Sequence, residues 1–137
     1  MKNLFIILLV LMSLVSFSSW GETMNDLVQR EGTYYKKFSD VPFTGKVEGR
    51  DQGNIKNGKL EGPWISYYSN GQQLAKGNFK NGKSDGLWLS YHDNGQLGAK
   101  GNVKKGEYEG YWVWYNKSAS LIVSLTGTYR NGVKVSN

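Results

Sequence analysis

Residues 53–76, GNIKNGKLEGPWISYYSNGQQLAK, run straight into residues 77–100, GNFKNGKSDGLWLSYHDNGQLGAK, and the two stretches align without a gap. Of the 24 columns, 15 are identical, which makes the pair a duplicated unit rather than a similarity of composition. Residues 101–126 continue as GNVKKGEYEGYWVWYNKSASLIVSLT, with two residues more, and GTYRNG at 127–132 opens a further copy. Trp64, Trp88 and Trp112 recur every 24 residues, and so do Tyr67, Tyr91 and Tyr115. A fixed period of this length marks a repeat array, in which a unit buries its apolar face only against its neighbours.

Each copy carries two turn signals. The first is Asn-Gly at 57–58, 81–82 and 131–132, replaced by Lys105-Gly106 in the third copy. The second is Asn-Gly at 70–71 and 94–95; the third copy loses it and predicts a looser loop over 116–120. Asn-Gly between apolar runs is a hairpin signal because both residues tolerate positive φ. The runs between turns are too short for helices. Leu97, Ala99, Gly101 and Val103 alternate with period two, as do Leu121, Val123 and Leu125, so each repeat predicts two strands.

The expected fold is all-β: an antiparallel meander of tandem β-hairpins in one elongated, curled sheet, which each repeat lengthens by roughly 10 Å. One face would collect Phe79, Leu97, Val103, Val123 and Tyr129. Trp64 and Tyr67 are three apart, so a regular strand sends them to opposite faces, unless a twist or bulge brings both inside. Residues 22–52 read as a degenerate capping repeat, with a turn at Glu31-Gly32 and re-entry to the sheet at Pro42-Phe43-Thr44-Gly45. The repeat domain then covers 53–137, as units 53–76, 77–100, 101–126 and a partial 127–137.

Residues 1–21 have the parts of an export signal. Lys2 supplies the positive start, Leu4 to Val15 is an apolar run broken only by Ser13, and Ser19 and Gly21 stand at −3 and −1 of a cut before Glu22. The run is shorter than the roughly 20 apolar residues of a membrane-spanning helix. A signal of this length looks bacterial and predicts a periplasmic or extracellular product. Aromatics at 14% and 18 glycines against two prolines suit short strands and tight turns. The absence of cysteine excludes disulfides, zinc-thiolate sites and a lipidated cysteine anchor. The net charge of +6 is spread along the chain and selects no single partner.

The pattern G-x-[FYIV]-x-N-G-K-x-x-G-x-W-x-x-Y-x-x-N-G-Q resembles the MORN-repeat variant family. Gly77, Phe79, Asn81, Gly82, Gly86, Trp88, Tyr91, Asn94 and Gly95 carry it, and Gly53, Ile55, Asn57, Gly58, Gly62, Trp64, Tyr67, Asn70 and Gly71 repeat it. The Pro-Phe-Thr-Gly lead-in also resembles secreted bacterial members. Many bacterial proteins of this kind are described as antitoxins of toxin–antitoxin pairs, so the resemblance implies binding of a protein partner. MORN repeats elsewhere are associated with membrane lipids and scaffolding. The third copy departs from the pattern at its second turn.

Nothing in the sequence assembles a catalytic set, and no enzyme activity, metal or cofactor is expected. Gly77 to Ser84 matches the phosphate-binding pattern G-x-x-x-x-G-K-[ST], which works only where the loop opens a helix. Here it is one frame of a β-repeat, so no nucleotide is expected. Glu61, Asp85 and Glu109 share one slot before a glycine, which reads as a turn role. Their roughly 10 Å repeat step lies just beyond the carboxylate spacing of glycosidases. His92, the lone histidine, stands where the sister copy has Tyr68 and reads as a solvent-facing strand residue.

The expected function is therefore a non-enzymatic exported binding module, foremost for a protein partner in an antitoxin-like or immunity-like role. Candidate binding residues are Trp64, Tyr67, Trp88, Tyr91, Trp112 and Tyr115, types that dominate binding hot spots. The lysine column Lys56, Lys80 and Lys104, continued by Arg130, is the second candidate, beside a shorter column of Lys59 and Lys83 that Glu107 ends. Alternatives are a cell-wall or surface glycan held on the Trp/Tyr ladder, and anionic membrane lipid held by the lysines. The run G-x-W-x-x-Y-x-x-N-G is loosely like choline-binding wall repeats. Nucleic acid is not expected for an exported chain. The sequence does not set the oligomeric state. Tryptophan burial discriminates between the readings: buried indoles leave a glycan no platform.

Overall fold

The computed structural model describes residues 21–137, so all of the expected export signal except Gly21 lies outside the described residues. After a single 3-10 turn, Met24–Asp26, β1 (Leu27–Arg30) and β2 (Thr33–Lys36) form a two-stranded sheet. The chain then builds a ten-stranded antiparallel sheet that follows sequence order. Its strands are β3 (Gly45–Val47), β4 (Asp51–Lys56), β5 (Lys59–Tyr67), β6 (Gln73–Lys80), β7 (Lys83–Ser84), β8 (Gly86–Tyr91), β9 (Leu97–Lys104), β10 (Glu107–Trp114), β11 (Gly127–Arg130) and β12 (Val133–Ser136). The sheet is open, with β3 and β12 at its edges.

The expected all-β hairpin meander is present, with one amendment to the single sheet. The β1–β2 hairpin does not extend the large sheet. It docks against the Asn57-Gly58 turn, where Tyr34 N–H donates to Gly58 O (2.8 Å) and Gly58 N–H to Phe43 O (2.7 Å). Lys59 Nζ reaches back to Gly32 O at 2.7 Å. Glu31-Gly32 does form the predicted turn, both residues having positive φ.

The two Asn-Gly signals resolve into different turns. At the first, both residues are left-handed: Asn57 and Gly58 have φ of 48° and 77°, and the pattern holds at 81–82, 105–106 and 131–132. That is the two-residue turn whose twist matches a hairpin. At the second, only Gly71 and Gly95 have positive φ, and Tyr68 N–H donates to Gln72 O (2.8 Å), as His92 N–H does to Gln96 O (2.8 Å). The third copy's loop is tied rather than loose. Asn116 N–H donates to Ser120 O, and the Asn116 carboxamide oxygen accepts from Ser118 and Ser120 amides.

The predicted strand over Leu121, Val123 and Leu125 does not form. Leu121 makes an isolated bridge to Tyr115, and Thr126 N–H then donates to Ile122 O in a turn. The alternation does not carry through: Ile122 is half-buried, while Leu121, Val123 and Leu125 are 48%, 68% and 44% exposed, so Val123 leaves the core face. Two extra residues in this copy let the chain close a turn instead of pairing.

Packing explains the spacing of glycine and tryptophan. Trp64, Trp88 and Trp112 each lie across the glycine eleven positions earlier. A Cβ at Gly53, Gly77 or Gly101 would fall 2.2, 1.9 or 2.2 Å from a ring carbon of the overlying indole. No side chain fits beneath those rings. Gly62, Gly86 and Gly110 serve another purpose: their φ values are 81°, 92° and 75° and nothing stands near them. They are left-handed kinks within the second strand of each repeat, and at the middle one β7 gives way to β8.

The core forms two clusters on one face. Leu27, Phe43, Val47, Ile55 and Trp64 make the first, and Ala99, Val103, Trp112 and Tyr129 the second. Phe79 joins them, edge-on to Trp64 at 6.0 Å and to Trp88 at 5.5 Å.

Candidate functional site

Strand alternation separates a core face from an outer face. Of the predicted aromatic ladder, Trp64 (7% exposed) and Trp112 (1%) are core residues, and Trp88 is half-buried. Trp112 Nε1–H also donates to Asn102 O at 2.8 Å. Two of the three indoles are thus spent on packing over glycine and offer no open platform. Tyr67 and Tyr91 are half-buried at the ends of β5 and β8, where register shifts at Ser66/Tyr67 and Ser90/Tyr91 break the alternation. Tyr115, also half-buried, stands just past β10 in an isolated bridge to Leu121.

A recess of about 230 Å³ does open on the core face, lined by Ser84, Trp88, Ser90, Val103, Tyr108 and Trp112 among others. Its cause is local. Ser84 stands in the slot that Leu60 and Tyr108 fill in the sister copies. Trp114 stacks on Trp112 at 5.6 Å and also borders it.

The outer face carries the lysines. Lys56, Lys80 and Lys104 are all exposed, and Lys76 and Lys100 stand in a second column. No carboxylate pairs with any of these five among the described residues. Register places two mixed rows between them. Ile65 faces Lys76, which neighbours Leu89, then Lys100, then Val113. One step along, Pro63 faces Asn78, and Leu87 faces Asn102, with Tyr111 on the next strand. Leu87 is 50% exposed and Tyr111 59%. A shallow groove of about 570 Å³ runs past Pro63, Ile65, Lys76, Asn78, Leu87 and Leu89. Sequence reasoning missed these apolar residues, because they vary between copies where the lysines recur.

Along both turn edges, side chains of one unit bond the backbone of the next. Glu61 Oε2 accepts from Asn81 N–H (2.7 Å), and Glu109 Oε2 from Asn131 N–H (3.1 Å). At Glu61 and Glu109 the acid slot is therefore a turn cap, and those two carboxylates are occupied. On the other edge, Tyr68 donates to Tyr91 O (2.9 Å), Asn70 to Asp93 O (2.8 Å) and Asn94 to Lys117 O (2.9 Å). His92 belongs to this series. Its Nε2 lies 2.8 Å from Tyr115 O, an acceptor, so the ring donates there, and the side chain is half-buried rather than solvent-facing. Lys117 hydrogen-bonds Asp93 beside it (2.7 Å) and holds that carboxyl below the ordinary range. Gly77 to Ser84 is the β6–β7 hairpin, with no helix to receive a phosphate.

Replacing Glu61 with Ala strands the Asn81 amide. A hydrogen bond to a charged group contributes about 1.5–3 kcal/mol, so a loss near the lower figure is expected in urea denaturation for this exposed turn. Asp85→Ala should cost less, because the Asp85 carboxylate caps no turn amide among the described residues. Comparison with protein-family models, with curated proteins and with solved structures finds no match to this chain.

Proposed function

We propose that this chain is an exported, non-enzymatic module of MORN-type repeats, and that its outer face docks an acidic protein partner. One observation carries the reading: an exposed apolar row, Pro63, Leu87 and Tyr111, and a half-buried one, Ile65, Leu89 and Val113, lie among lysines that no carboxylate neutralises among the described residues. Aromatic and apolar anchors inside a polar rim are the anatomy of a protein interface, and unpaired lysines favour an acidic partner. Asn78 and Asn102, interleaved with the apolar residues, ask for directional hydrogen bonds that a bilayer surface does not supply in register. The antitoxin-like role implied by the resemblance is one instance of such docking. The opposite face is largely filled by its own core, which leaves a glycan only the recess beside Trp88.

The test is capture from the source organism's own envelope extract by wild-type protein and by Leu87→Glu and Tyr111→Glu. Both sites are exposed, so both variants should melt within a few degrees of wild type. The reading expects a partner of low isoelectric point that wild type retains, that salt releases, and that both variants lose. Equal capture by the variants, or retention on anionic vesicles with no protein partner, overturns it.

A further inference from the structure

Turns of the first series are closed by an oxygen from the preceding unit. Asn57 N–H donates to Thr44 Oγ1 (2.8 Å), Asn81 N–H to Glu61 and Asn131 N–H to Glu109. At the Lys105-Gly106 turn only the second amide is held this way, Gly106 N–H donating to Ser84 O (2.9 Å) as Gly82 does to Leu60 O. The acid slot there holds Asp85, one methylene shorter, and the Lys105 amide meets no acceptor among the described residues. A second contact is missing at the same place. The Lys59 stem would lie 3.2 Å from a Cβ at Gly82, and Glu107 3.8 Å from one at Gly132, but nothing lies within 4 Å at Gly106. The turn stack therefore has a gap. A cleft of about 420 Å³ occupies it, lined by Lys80, Asn81, Lys83, Asp85 and Lys105. None of the three lysines has an ion-pair partner among the described residues, although the Asp85 carboxylate borders the cleft and offsets one charge.

We infer that this cleft binds an oxyanion, a carboxylate or phosphate group, whose oxygen takes at Lys105 N–H the place that Glu61 and Glu109 oxygens take at the sister turns. The sister turns show the preference: the same backbone geometry holds an oxygen acceptor at 2.7–3.1 Å. Left-handed turn amides make concavities suited to anions, and three ammonium groups add charge without competing acceptors. Asp85 limits the gain and favours a ligand with more than one negative charge. The inference does not rest on outer-face docking, since a free anion would satisfy the cleft alone.

The experiment is a ¹⁵N–¹H titration of the full chain with inorganic phosphate and, separately, with acetate, at ionic strength held constant with sodium chloride. The Lys105 amide should shift saturably while the capped amides of Asn81 and Asn131 stay put. Saturation by phosphate alone assigns a phosphate group, by acetate alone a carboxylate, and by both an oxyanion without preference; each supports the site. Asp85→Glu restores the longer cap and should weaken phosphate binding about tenfold, the scale of one charge-assisted hydrogen bond. Lys83→Met removes charge without touching the turn and should weaken it too. No saturable shift at Lys105, equal shifts at Asn81 and Asn131, or undiminished binding in both variants overturns the site.

Discussion

Trp112→Ala should lose about 3–5 kcal/mol in urea denaturation, the range for emptying a large aromatic site. The indole is 1% exposed and stands between Tyr108 at 4.4 Å and Trp114 at 5.6 Å. Its removal opens a cavity above Gly101, which has no side chain to collapse into it. Asn102 O also loses the Nε1–H bond. The second core cluster gathers around this ring, so the midpoint should fall by much of the domain's margin, since such domains hold only about 5–15 kcal/mol in all. Unchanged stability would mean that the cluster is not the core.

Gly77→Ala tests the other half of the same contact. One methyl would sit 1.9 Å from a Trp88 ring carbon, well inside contact distance, so the indole has to leave. Overpacking of this kind costs about 1–3 kcal/mol, and the upper end is expected because three ring carbons would lie within 2.8 Å of the methyl. The diagnostic is a double-mutant cycle. In a Trp88→Ala background the methyl meets no ring, and Gly77→Ala should then cost almost nothing. Trp88 is only half-buried, so that background stays folded and the cycle is measurable. A coupling of about 2 kcal/mol between the sites is expected. Additive costs would show that Gly77 is there for its backbone and not for the indole.

The strands, first turns and repeat boundaries were legible because they recur: a 24-residue period fixes what pairs with what before any coordinate is known. Burial was less legible. Whether Trp64 faces in depends on the kink at Gly62 and the bare strand at Gly53, and neither acts through local propensity. In Leu121 to Leu125 a two-residue insertion let the chain turn, so an alternating pattern formed no strand. His92 looked isolated because its partner, the Tyr115 carbonyl, lies one repeat away. Periodicity drew attention to the invariant aromatics and lysines. The outer-face apolar residues differ from copy to copy, so repetition hid them. The open turn at Lys105 left a sequence trace, Asp for Glu at 85 and Lys for Asn at 105, but its meaning needed the cap distances.

The caps that recur along the two turn edges share one polarity, although Lys59 reaches back the other way to Gly32 O. Thr44 serves Asn57, Glu61 serves Asn81 and Glu109 serves Asn131, while Tyr68, Asn70, His92 and Asn94 serve carbonyls of the following unit. In each, the side chain sits on the earlier unit and the backbone group on the later one. A polypeptide emerging amino-terminus first thus presents a finished template to every hairpin that follows, and the register of each new unit is dictated by its elder. The array is built to be read out in the order in which it is made.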